Sequence, residues 1–158
     1  MVAREPSRAR GRASLSDDDY RRLLALRTRL RGFLRWSEAQ ARSAGLAPAQ
    51  HQLLLAIRGH DDPRGPTIGE VAGYLYLRHH SAVELAGRAQ EAGLVEREAD
   101  PDDARVVRLR LTQRGEAALA ELTQFHLGEL RRLAAHLQPL LRGFDFDQEG
   151  KGRTRAAS

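Results

Sequence analysis

The spacing of hydrophobic positions divides the chain into helical and extended stretches. Tyr20, Leu23, Leu24, Leu26, Leu30, Phe33 and Leu34 recur at helical spacing, which predicts one long helix. Ser16 is a capping residue at its start, and Asp17, Asp18 and Asp19 place carboxylates at the positive end of its dipole. Gly45 supplies the stop. The apolar positions spread over more than one side of this helix, so part of its surface is expected to lie against a second chain. Pro48 suits the first turn of a second helix, with Leu53, Leu54 and Ile57 as its inward stripe. The run from Gly59 to Pro66 has the composition of a loop.

Thr67 and Glu70 form a capping box ahead of Ile68, Val71, Ala72 and Leu75, the pattern of a short third helix. A fourth helix follows Tyr76-Leu77, from about Arg78 to Ala92, with Ala82, Leu85, Ala86 and Ala89 inward and Gly93 ending it. The period then changes. Residues 94–98 read as a strand, 99–104 as a turn, and Val107, Leu109 and Leu111 alternate with Arg108 and Arg110 as a second strand with its arginines outward, either touching phosphate or simply facing solvent. Thr112 caps a last helical region whose Leu119, Leu122, His126, Leu130, Leu133, Leu137 and Leu140 suit a coiled-coil-like seam. Gly128 is expected to break that region in two, and Pro139 to weaken its end.

Short helix, tight turn, helix and hairpin in that order predict a mainly α fold with a two-stranded β-wing. This is a winged helix-turn-helix with long N- and C-terminal dimerisation helices. The expected organisation is a disordered basic tail at 1–14, an N-terminal dimerisation helix at 15–46 and a DNA-binding lobe at 47–112. C-terminal dimerisation helices at 113–142 and a flexible basic tail at 143–158 complete it.

Composition narrows the function. The 158 residues are 41% hydrophobic and 30% charged, which suits a soluble domain, and no apolar run approaches the ~20 residues needed to cross a bilayer. The N-terminus lacks the plan of a secretory signal, and cysteine is absent, so a cytoplasmic protein with no membrane partner is expected. The net charge of +5 resides in the two tails, which carry +3 each, leaving residues 15–150 nearly neutral. Tails of this kind suit non-specific phosphate contact or plain solvation.

The helix-turn-helix assigns the sharper chemistry. Its second helix would present Arg78, His79, His80, Ser81, Glu84 and Arg88 to a major groove ~12 Å wide. His and Ser can bond to base edges or phosphates, Arg makes bidentate contacts, and Thr67 begins the bracing helix near its positive pole. Adjacent His79 and His80 diverge by ~100° on a helix, so no metal is expected there. Phe33, Trp36, Tyr74 and Tyr76 read either as ordinary core or as the lining of an aromatic ligand pocket. No nucleophile–base pair, phosphate-cradling Gly loop or metal-spaced cluster points to an enzyme, and no cofactor is implied.

The stretch Gly93-Leu94-Val95-Glu96-Arg97, then Asp100-Pro101-Asp102-Asp103-Ala104-Arg105, then Leu109-Arg110-Leu111-Thr112-Gln113-Arg114-Gly115 resembles the MarR family of bacterial regulators. Gln50 and Thr67–Ala72 fall in the same register, and the resemblance covers roughly residues 16–142. It implies a homodimer with interlocked first and last helices, bound to double-stranded DNA. It also implies Arg105 in the minor groove with Asp103 orienting it, and repression relieved by a small, often aromatic, ligand. The physics suits Arg105, because a narrow minor groove concentrates negative potential. Three features depart from the pattern: Ala47 lacks a capping hydroxyl, Glu84 stands at a position often basic or polar, and the wing carries the acids Glu96, Glu98, Asp100, Asp102 and Asp103. The near-neutral body and Glu84 suit an alternative, a winged-helix interaction module that does not bind DNA.

Overall fold

The computed structural model describes residues 15–144. The tail expected at 1–14, and that at 143–158 apart from Gly143 and Phe144, lie outside the described residues. Seven elements follow in order: α1 (Asp17–Ser43), α2 (Pro48–Arg58), α3 (Ile68–Tyr74), α4 (His79–Glu91), β1 (Val95–Ala99), β2 (Val107–Leu111) and α5 (Gln113–Arg142). The first strand begins one residue later than the alternation suggests.

Local chemistry sets most boundaries. Ser16 and Asp19 close a reciprocal capping box on α1, the hydroxyl accepting from the Asp19 N–H at 3.2 Å and the carboxylate from the Ser16 N–H at 2.8 Å. On α2 the missing hydroxyl of Ala47 is half replaced, because Gln50 Oε1 accepts from the Ala47 N–H at 3.0 Å. Helices α1, α3 and α4 all end in the same paired return bonds. Leu46 donates to the Ala41 oxygen, Leu77 to Ala72 and Leu94 to Ala89, each at 2.9 Å. The left-handed residue this motif requires is Gly45 after α1 and Gly93 after α4, but Tyr76 (φ 53°) after α3.

Helix α5 corrects one expectation. It runs unbroken for 30 residues through Gly128, with Pro139 inside it. A mid-helix glycine costs only about 1 kcal/mol against alanine, and Pro139 forgoes only its own bond to the Ala135 carbonyl, in the last turn of the helix. Packing of α5 against α1 outweighs both.

Leu53 and Leu54 of α2, Val71 of α3, Leu85 of α4, Val95 of β1, Leu109 of β2 and Leu122 of α5 meet in one core. Outside it, Tyr20, Leu24 and Leu34 of α1 and Phe125, Leu127 and Leu130 of α5 remain exposed. The strands pair antiparallel with Arg97 opposite Leu109 and Glu98 opposite Arg108. Among the described residues no helix is long and apolar enough to cross a membrane.

The loop between α2 and α3 is fastened to the wing. Leu109 donates its N–H to the Pro66 oxygen at 2.9 Å, and Thr67 bridges Arg108 as a fragment of third strand. Arg108, expected to face solvent, is instead largely buried: its Nη1 donates to the Gly65 oxygen at 2.7 Å and its Nε to the buried Asp100 carboxylate. Arg64 Nη2 donates to Asp62 Oδ2 at 2.8 Å, and its Nη1 to Asp102 Oδ2 at 3.0 Å. The Arg108 side chain, aided by the N–H groups of Asp102 and Asp103, holds the Asp100 carboxyl below the usual carboxylate range. Arg64 does the same for Asp62.

Two tests address this junction. Gly65 has φ +87°, and an added Cβ would lie 2.1 Å from the Leu109 oxygen. Gly65→Ala is therefore expected to lose roughly 2–4 kcal/mol in urea unfolding, and parental stability would show that the loop does not lie on β2. Asp100 titrates lower folded than unfolded, so its contribution is complete above the ordinary value of 3.8 and is lost as pH falls below it. Asp100→Asn should be the less stable chain at neutral pH, with the gap closing through acid unfolding below 3.8. A gap indifferent to pH would contradict the ion pair.

Candidate nucleic-acid interface

The wing tip is built from a short run of carboxylates. Asp100 Oδ1 accepts from the N–H of Asp102 at 2.8 Å and of Asp103 at 3.3 Å, folding the chain back on itself. The Asp103 carboxylate then faces Arg105 alone. It accepts from the Arg105 main-chain N–H and Nε, both at 3.0 Å, and from Nη2 at 3.1 Å. These bonds lower the Asp103 pKa and raise that of Arg105, so the pair stays charged at neutral pH. The Arg105 side chain is 91% exposed. Asp103 aims it without covering it.

Beside the wing, α4 turns Ala82, Leu85, Ala86 and Ala89 into the core, which leaves its opposite face outward. Arg78 is the N-cap residue, exposed and without a side-chain capping bond. His79 and His80 are exposed, whereas Ser81 is half-buried. Arg88 is exposed on the next turns and lies 3.9 Å from Glu84, a pair of little energetic weight at the surface. Thr67 caps α3: its hydroxyl accepts from the Glu70 N–H at 3.2 Å and donates to the Glu70 carboxylate at 3.0 Å.

The structure gathers several of these residues around one cleft. Thr67, His79 and Arg105 line it, between the start of α3, the first turn of α4 and the wing. His80, Ser81, Arg88 and Arg78 are not among its lining; they belong to the outer face and start of α4. Arg97 lines the same cleft and was missed as a site residue. Its signal was present: it occupies a β1 position whose alternation with Val95 points toward α4, where an apolar residue would be expected.

The four aromatic candidates do not meet. Phe33 and Trp36 stack on α1 with ring centroids 6.0 Å apart, and both lie against His126 of α5. Tyr74 belongs elsewhere, its hydroxyl 2.8 Å from His60 Nδ1, and Tyr76 is 97% exposed at the end of α3. A pocket of all four is thus replaced by a Phe33–Trp36–His126 cluster. His126 bonds within its own chain, 2.7 Å from Ser37 Oγ and 2.7 Å from the Leu122 oxygen. The buried His51 ring lies 4.7 Å from it, and burial, with the His126 charge second, pulls the His51 pKa below the ordinary imidazole value.

Known proteins share this fold. A sequence profile described as the MarR family matches residues 44–106, from the end of α1 to just past the wing tip. The uncharacterised HTH-type transcriptional regulator YsmB of Bacillus subtilis (strain 168) is 45% identical over 56 residues. That match spans 35% of this chain and only 38% of the relative's length. A crystallised MarR family transcription regulator superposes with a TM-score of 0.65 at 25% identity, over 75% of this chain and 77% of that one. The M. tuberculosis transcriptional regulator MOSR, crystallised in complex with DNA, superposes with a TM-score of 0.54 at 24% identity, over 72% and 80% of the two chains. The likeness to MOSR is one of fold. The profile is seated on the helix-turn-helix and the wing, and over those parts this chain is similar to MarR-family regulators.

Proposed function

We propose that this protein is a sequence-specific regulator of transcription that binds double-stranded DNA as a homodimer and represses its targets until a small ligand releases it. The observation that carries the reading is the cleft. Three separately encoded segments, the start of α3, the first turn of α4 and the wing tip, bring Thr67, His79 and Arg105 to one side of the molecule beside the outer face of α4. In this reading His79, His80, Ser81 and Arg88 address the major groove and Arg78 and Thr67 the backbone. Arg105, aimed by Asp103, enters the minor groove. That a fold neighbour was crystallised on DNA supports the same use of the scaffold.

The acid-rich wing departs from the family's pattern and, taken residue by residue, argues against phosphate contact. That objection weakens once four of the wing's five carboxylates, all but the exposed Glu96, are followed to their partners. Asp62, Asp100 and Asp102 are engaged by Arg64 and Arg108, Asp103 by Arg105, and Glu98 lies 3.8 Å from Arg110. The exposed apolar side chains of α1 and α5 support the homodimer, since large exposed apolar patches mark interfaces. The ligand part of the reading rests on the family and on the Phe33–Trp36 cluster, without Tyr74 or Tyr76. A cytoplasmic regulator without enzymatic activity completes it.

Selection of bound fragments from a random duplex library, with the purified chain, tests the reading. The expected product is a pseudo-palindrome with half-sites about one helical turn, ~10 bp, apart. Arg105→Ala should weaken binding to that site roughly tenfold while the dimer persists on size-exclusion chromatography. No enrichment at low salt would sink the DNA reading, and unchanged affinity in Arg105→Ala would sink the role of the wing.

A further inference from the structure

Arg97 is held in an unusual way for a surface arginine. It lies mid-strand opposite Leu109, and its Nη2 donates to the main-chain oxygen of Val83 in α4 at 2.9 Å. An added methyl group on Gly87 would sit 3.6 Å from that same nitrogen. The guanidinium therefore lies across the Val83–Gly87 turn of α4. Among the described residues this is its one hydrogen bond or ion pair. A guanidinium carries five N–H donors, so the remaining ones are left for a partner outside the chain. The cleft that Arg97 lines with Arg105, His79 and Thr67 has no Asp or Glu in its lining.

We propose that Arg97 is a phosphate-contacting residue, which rests on the DNA-binding reading above. One N–H anchors the guanidinium on the recognition helix, and the free donors grip a backbone phosphate where the strand passes between α4 and the wing. The anchor restricts the side chain before DNA arrives, so less freedom is lost on contact. Because Arg97 bridges β1 and α4, the same phosphate fixes the wing and the helix relative to the duplex. A phosphate contact is indifferent to sequence, and its signature is electrostatic: lost counterion release and a shallower salt dependence.

The test uses the full chain, a fluorescein-labelled duplex carrying the selected site, and a random duplex of equal length, with anisotropy titrations across a salt series. Arg97→Gln keeps a donor for the Val83 oxygen but removes the charge. It should weaken binding to both duplexes about tenfold and make the slope of log K against log salt shallower by about 0.9. Arg97→Lys should keep most of the slope and recover only part of the affinity, because an ammonium lacks the fork that anchors and grips at once. Thermal unfolding should be unchanged in both. Weakened binding with an unaltered slope would reduce Arg97 to a tie between strand and helix and overturn the proposal. Unchanged affinity would overturn it too, as would full affinity in Arg97→Lys should Arg97→Gln not fold. If the parent chain binds neither duplex, the DNA reading itself fails and this inference falls with it.

Discussion

The candidate interface depends on one attachment: strand β2 held against residues 64–67. Leu109 is fully buried and donates its N–H to the Pro66 oxygen, while Gly65 lies so close to the Leu109 oxygen that no Cβ fits. Arg108 closes the attachment from the other side by binding the Gly65 oxygen and Asp100 together. Without it the wing would be a two-stranded ribbon, which is marginal by itself in water. With it, the start of α3 and the base of the wing become parts of one body. The spacing between Thr67 and Arg105 then follows from the packing.

That attachment also sorts the charges. The wing and its neighbouring loop carry many carboxylates, and a count along the chain suggests a surface that repels phosphate. In space, Asp62 and Asp100 are paired with Arg64 and Arg108, Asp102 meets Arg64 while staying exposed, and Asp103 is bound by Arg105. A buried carboxylate is costly unless it is paired, and Asp100 has both a guanidinium and two main-chain N–H groups. Among the cleft's polar side chains, Arg97 and His79 have no acid partner among the described residues, Thr67 is bonded to Glu70, and Arg105 is held out beyond its carboxylate partner.

Much of the fold was readable from periodicity and caps, because both act over a few residues. Helix α3 begins where its capping box predicted, α5 begins after Thr112, and the strand alternation of 107–111 located β2. The errors share a cause. Arg108 has the polar identity of an outward strand residue, yet a loop 43 positions away covers that face. Gly128 carries the local cost of a helix breaker, yet packing against α1 outweighs it. The aromatic residues share a chemistry but not a neighbourhood, since Phe33 and Trp36 meet α5 while Tyr74 meets His60. Each was decided by a partner distant in sequence.

The sequence by itself determined the elements, their order and the winged helix-turn-helix they compose. The resemblance it carries also implied Asp103 beside Arg105, and two residues separated by one position in a turn reach each other without help from the rest of the chain. Only the tertiary structure decided which arginines are free to meet a partner. Arg64, Arg97, Arg105, Arg108 and Arg110 are alike as residues. Burial makes Arg108, and the reach of Asp62 and Asp102 makes Arg64, part of the scaffold; Arg97 faces the cleft without a carboxylate partner among the described residues, and Arg105 faces it with Asp103 bound alongside. A side chain's charge is written in its identity, but whether that charge is already neutralised depends on what long-range packing places within ~4 Å of it.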